Sequence, residues 1–113
     1  MKGGVIVIRG ACQQFKFKTP YTLDQLKTVR ITFWQCDNNG TKDCELPITK
    51  DWNSCTQDVQ GIGVTLNQVE TLAFSETSKA YVQFRGLTHD GFAFASRIMP
   101  INVYPVKDET VLE

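Results

Sequence analysis

The residues able to do chemistry are few and scattered. The chain carries one histidine, His89, and four cysteines, Cys12, Cys36, Cys44 and Cys55. A catalytic histidine needs a nucleophile or a second acid–base group within hydrogen-bond reach. The sequence puts only Thr88 and Asp90 beside it, and both are common turn residues. His89 therefore reads as part of the turn His89-Asp90-Gly91, and no catalytic residue is assigned. No two cysteines form a C-x-x-C pair, and a lone histidine cannot complete a zinc site of two cysteines and two histidines. Disulfide frameworks belong to oxidising compartments, so all four thiols are expected to be reduced, although Cys36 and Cys44 flank a predicted hairpin and could face each other. Gly61-Ile62-Gly63 lacks the following helix and the lysine of a phosphate-binding loop. Asp37-Asn38-Asn39-Gly40 reads as a turn rather than a calcium loop. The expectation is a protein with no metal and no cofactor that is not an enzyme.

Composition narrows the partners. The 113 residues suit one domain with one core, and 42% apolar with 21% charged residues is globular rather than disordered. Twelve basic residues balance twelve acidic ones, so whole-chain charge gives no reason to expect nucleic acid or an anionic membrane. Neutrality also weakens self-repulsion, which permits a homo-oligomer. The opening MKGGVIVIRGA has an apolar run of only four residues, Val5 to Ile8. A secretory signal needs about 7–15 and a membrane helix about 20, so cytosolic residence is expected.

The elements that must position these residues follow a period of two. Phe15 and Phe17 alternate with Gln14, Lys16 and Lys18; Val29, Ile31 and Phe33 with Arg30, Thr32 and Trp34; Ala80, Val82 and Phe84 with Tyr81, Gln83 and Arg85. Each run suits a strand with one buried face. Weaker strands are predicted over 5–9, 45–49 and 61–66. Asn67 as a cap predicts a helical turn in NQVETLAF, with Val69, Leu72 and Ala73 as its apolar positions. Leu23 and Leu26 predict a second short turn that plugs an end of the core. After the hairpin at His89-Asp90-Gly91, Phe92, Phe94 and Ile98 share one parity and Met99, Ile101 and Val103 the other. That phase change predicts a bulge or a strand that passes between sheets. About seven short strands of this kind predict an all-β antiparallel sandwich, immunoglobulin-like, over 1–106, with a partly open barrel as the alternative. The acidic tail over 107–113 is predicted to be the one loose segment.

One face stands out. If the strands over 29–36, 80–87 and 92–98 are neighbours, their outward residues include Arg30, Thr32, Trp34, Tyr81, Gln83, Arg85 and Arg97, with no carboxylate. Arg, Trp and Tyr are enriched at interface hot spots, so Arg30, Trp34, Tyr81, Arg85 and Arg97 form the candidate interface. The same set could stack on sugar through Trp34 or bind single-stranded nucleic acid, and cover by a loop or the tail is the plain structural account.

RGACQQFKF (9–17), LKTVRITFWQ (26–35), VTLNQVETLAF (64–74), VQFRGLTHDGFAFAS (82–96) and KDETVL (107–112) together resemble a group of small proteins encoded in phages and prophages of Gram-positive gut bacteria. Their shared features are an R-G start, a T-x-D/N-G-x-A-x-A-S hairpin and an acidic D-E-x-L tail. This chain departs from them in a longer 37–60 region that carries Trp52. The group is similar in size and strand pattern to the N-terminal domain of phage baseplate upper proteins, a fold-level analogy only. The resemblance implies a non-enzymatic structural or assembly protein that contacts itself or other phage structural proteins, with tail or baseplate association. It implies the host cytoplasm during assembly and leaves the virion open. The runner-up is a carbohydrate-binding module that uses the Trp34 face.

Overall fold

The computed structural model describes residues 5–36, 45–75 and 79–112. Within them the chain forms β1 (Val5–Ile8), β2 (Gln13–Phe17), β3 (Leu26–Cys36), β4 (Glu45–Asp51), β5 (Cys55–Asp58), β6 (Gly61–Leu66), α1 (Gln68–Leu72), β7 (Lys79–Thr88), β8 (Ala93–Ala95) and β9 (Met99–Tyr104). Two sheets result. The long one runs β1-β9-β7-β3-β4, with β8 also paired to β7, and the short one runs β2-β6-β5. The predicted all-β sandwich is therefore what the chain adopts. The short sheet of β2, β5 and β6 lies opposite β3, β4, β7 and the returning strand. One pair corrects the expectation of a wholly antiparallel fold, because β1 lies parallel to β9, Val5 opposite Ile101 and Ile8 opposite Tyr104.

The inner faces explain the alternation. Val29, Ile31 and Phe33 of β3 and Val82 and Phe84 of β7 are buried against Phe15 and Phe17 of β2 and Ile62, Val64 and Leu66 of β6. Rings interlock across the sheets, Phe15 with Phe33 at 5.1 Å and Phe17 with Phe84 at 5.4 Å. Each such aromatic contributes about 1.5–3 kcal/mol of burial. Leu23, in a 3-10 turn over Leu23–Gln25, is buried as predicted, whereas Leu26, predicted to share the turn, is the first residue of β3. Its N–H donates to Gln57 Oε1 at 2.6 Å, which ties the turn to β5.

The glycines of Gly61-Ile62-Gly63 have a packing cause. Gly61 has φ +132°, and a Cβ there would lie 2.2 Å from the Phe17 carbonyl oxygen of β2. Gly63 is buried beneath Lys16 and Thr56. At Gly61 only glycine lets the β6 backbone approach this closely.

The predicted phase change is a bulge. Ala95 pairs with Arg85 and Phe94 with Gly86, whereas Met99 pairs with Val82 and Ile101 with Ala80, a register one residue out of step. β8 and β9 are thus one returning strand interrupted at 96–98. Ser96 repairs the ladder there: its N–H donates to the Phe84 carbonyl at 2.8 Å, and its hydroxyl accepts from Phe84 N at 3.0 Å. The Phe94 ring lies over Gly86, where a Cβ would come within 2.7 Å of it.

Two expectations about the chain's second half need correction. Asn67 does cap α1, accepting from Glu70 N while Glu70 Oε1 accepts from Asn67 N, both at 2.9 Å. The buried positions of this segment are Thr71 and Phe74, however, and Val69 is 63% exposed. Thr71 is buried because its hydroxyl accepts from Gly10 N and donates to the Ala11 carbonyl, each at 3.0 Å, and so pins the β1–β2 turn. The described tail residues, 107–112, also touch the domain at two points. Arg9 pairs with Glu109 at 2.8 Å, and Leu112 makes two hydrogen bonds to the Gln68 amide.

Candidate contact face of the long sheet

Outward residues of the long sheet lie in rows across the strands. In one row Asp51 of β4 stands opposite Arg30 of β3, which stands opposite Arg85 of β7, which stands opposite Ala95 of β8. In the next, Thr49 faces Thr32, and Thr32 faces Gln83. In the third, Trp34 faces Tyr81 and Tyr81 faces Pro100. The predicted parity of Arg30, Trp34, Tyr81 and Arg85 is thus what the register places, and they form one continuous face.

Arg97 is not in this row system. It falls in the bulge at 96–98, exposed, with no residue of β7 paired to it. The face also has a carboxylate that three strands alone could not reveal, since Asp51 arrives on β4. Asp51 Oδ1 accepts from Asn53 N at 3.1 Å and caps the 3-10 turn Trp52–Ser54.

Trp34 is only partly exposed. Its ring and that of Tyr81 have centroids 5.8 Å apart at 30°, and both residues are half-buried. Arg30 and Arg85 are exposed, and with Thr28, Leu87, Ala93 and Phe94 they line a shallow depression of about 210 Å³. Two guanidinium groups opposite each other on paired strands repel. One exposed carboxylate at the side leaves excess positive charge that a partner's carboxylate would complement.

Sequence reasoning missed the far side of the face. Ile6 and Ile8 on β1 and Tyr104 on β9 are exposed, while Val7 and Ile101 between them are buried. Ile8 pairs with Tyr104 and Ile6 with Asn102. The signal was present in Val5-Ile6-Val7-Ile8, but an all-apolar run hides which parity faces inward.

The other candidate residues have structural surroundings. His89 sits at the exposed turn, its Nε2 3.1 Å from the Asp24 carbonyl oxygen, while Thr88 bonds to Asp90 and accepts from Phe92 N at 3.0 Å. Gly91 supplies the positive φ of 92°. Cys12 and Cys55 are free thiols. Burial, with the charge of Asp51 adding to it, pushes the Cys55 thiol up to about 11, which keeps it protonated and unreactive. The predicted turn over Asp37 to Gly40, Cys44 and the Cys36–Cys44 question lie outside the described residues. No helix among the described residues is long and apolar enough to cross a membrane. No protein-family model and no curated protein matches the sequence.

Proposed function

We propose that this chain is a protein-contact module whose working surface is the outer face of its long sheet. The observation that carries this reading is that one face holds both the row Asp51–Arg30–Arg85 and, beyond the Thr32–Gln83 row, the tilted Trp34–Tyr81 ring pair. Tyr and Trp present large amphipathic contact area with few rotatable bonds, and both they and arginine are enriched at protein interfaces. The apolar edge formed by Ile6, Ile8 and Tyr104 extends the same surface. The resemblance of the hairpin and tail to phage-encoded proteins supports a role in virion assembly, in a tail or baseplate, with a second copy or another structural protein as partner.

The test is self-association and co-purification of the full chain. Trp34→Ala should weaken the contact by about 2 kcal/mol, the scale of an interface hot spot, and Arg85→Glu should weaken it towards an acidic partner. Sedimentation equilibrium on the isolated chain and affinity capture with the products of neighbouring genes supply the readouts. If both variants associate as the unmodified chain does, the face is not the contact. A shift of Trp34 fluorescence on adding sugars, with no protein partner, would replace this reading with carbohydrate binding.

A further inference from the structure

The C-terminal tail lies on the surface rather than sinking into it. The Glu109 side chain is 63% exposed and Leu112 is 73% exposed. Yet the surface beneath also makes contacts of its own that do not involve the tail. The Arg9 Nη2 donates to the Leu72 carbonyl at 3.0 Å, while its Nη1 pairs with Glu109 at 2.8 Å. Gln68 stands in the first turn of capped α1, itself fixed by Asn67 and by Thr71.

The two anchors read different things. The Gln68 side-chain amide donates to the Leu112 carbonyl at 2.9 Å and accepts from Leu112 N at 2.8 Å. It therefore satisfies both main-chain groups of one residue, as strand addition does, and leaves that residue's side chain unspecified. Arg9 selects an acidic residue three positions earlier. Between them they recognise an acidic side chain at one position and the main chain of the residue three positions later, the form Glu-x-x-x.

We propose that the surface between Arg9 and Gln68 is a receptor for such a segment, and that its occupant in an assembly is the tail of a neighbouring copy. Every contact the tail makes in its own chain is available, unchanged, on a second chain. Exchange of identical elements between copies is for that reason an inexpensive route to association. The arm from Pro105 to Leu112 has eight residues and can span up to about 26 Å when extended. The tethered tail competes at an effective concentration on the order of millimolar. Exchange therefore prevails where copies are held side by side and not in dilute solution.

Two full-length variants separate donor from receptor without touching the core. Glu109→Lys keeps the receptor and disables the tail, while Gln68→Ala keeps the tail and weakens the receptor. A fluorescently labelled KDETVLE peptide should bind the Glu109→Lys chain, and a further Arg9→Gln change should weaken that binding about tenfold or more, as loss of a charge-assisted pair does. Mixing the two variants should give association about tenfold tighter than either chain shows alone at the same total concentration. No peptide binding to the Glu109→Lys chain would overturn the receptor. Peptide binding with no gain on mixing would overturn the neighbouring tail as its occupant. Contact through the sheet face is common to all these samples, so its failure leaves the differences unchanged.

Discussion

The two outward faces of this sandwich differ in what they leave unsettled. On the short sheet, Gln14 and Thr65 are exposed, and Lys16 and Asp58 form an ion pair. Its charges are matched within the chain and it presents no large exposed apolar side chain from its strands. On the long sheet, two arginines confront each other across paired strands, Trp34 and Tyr81 share one stack, and Ile6, Ile8 and Tyr104 meet solvent. Both faces belong to one fold and sit over one core, so folding alone does not account for the contrast. A surface that completes itself resists association, and one that leaves charge and apolar area open invites it.

The contrast breaks most sharply between neighbours on β3. Phe33→Ala should cost about 3–5 kcal/mol in chemical denaturation, because its ring is fully enclosed and packs on Phe15. Trp34→Ala should cost less stability than that while losing association. Core-scale destabilisation by Trp34→Ala would mean that the Trp34–Tyr81 stack serves the fold rather than a partner. Next in size, Thr71→Val should lower stability by about 1–3 kcal/mol, since Gly10 N and the Ala11 carbonyl lose their buried partner. Unchanged unfolding would show that water or the neighbouring backbone replaces the hydroxyl.

A smaller effect follows pH. Glu70 is raised by burial, but its bonds to Lys50 and to Asn67 N–H outweigh this and hold its carboxyl below the ordinary value of 4.5. A lowered folded value gives stability that is fully present above 4.5 and fades as the pH falls through the folded value. Melting curves across that acidic range should lose this contribution, and Glu70→Gln should flatten the dependence. The smallest effect belongs to the settled face. Lys16→Ala removes an exposed ion pair and should change stability by less than about 1 kcal/mol, and association not at all. A drop in association on Lys16→Ala would move the contact to the short sheet.

The hairpin, the capped turn at Asn67 and the bulge after Phe94 were legible because each is written in adjacent residues: Asp90-Gly91, Asn67 with Glu70, and apolar positions that change parity. The buried side of α1 was misjudged for the opposite reason. Hydropathy nominated Val69, but the position that met the β1–β2 turn needed a hydroxyl to satisfy Gly10 and Ala11, and that partner lies about sixty residues away in sequence.

The sequence by itself determined which side chains share a face, since a strand's period of two is set by its own backbone. It could not determine which strands lie side by side, because that depends on pairing between distant segments. Tertiary structure decided that β4 brings Asp51 to Arg30, that β1 joins β9 in parallel and carries Ile6 and Ile8 to the edge, and that the tail rests on Arg9 and Gln68. Each of these is a long-range contact whose energy comes from partners that local patterning does not encode.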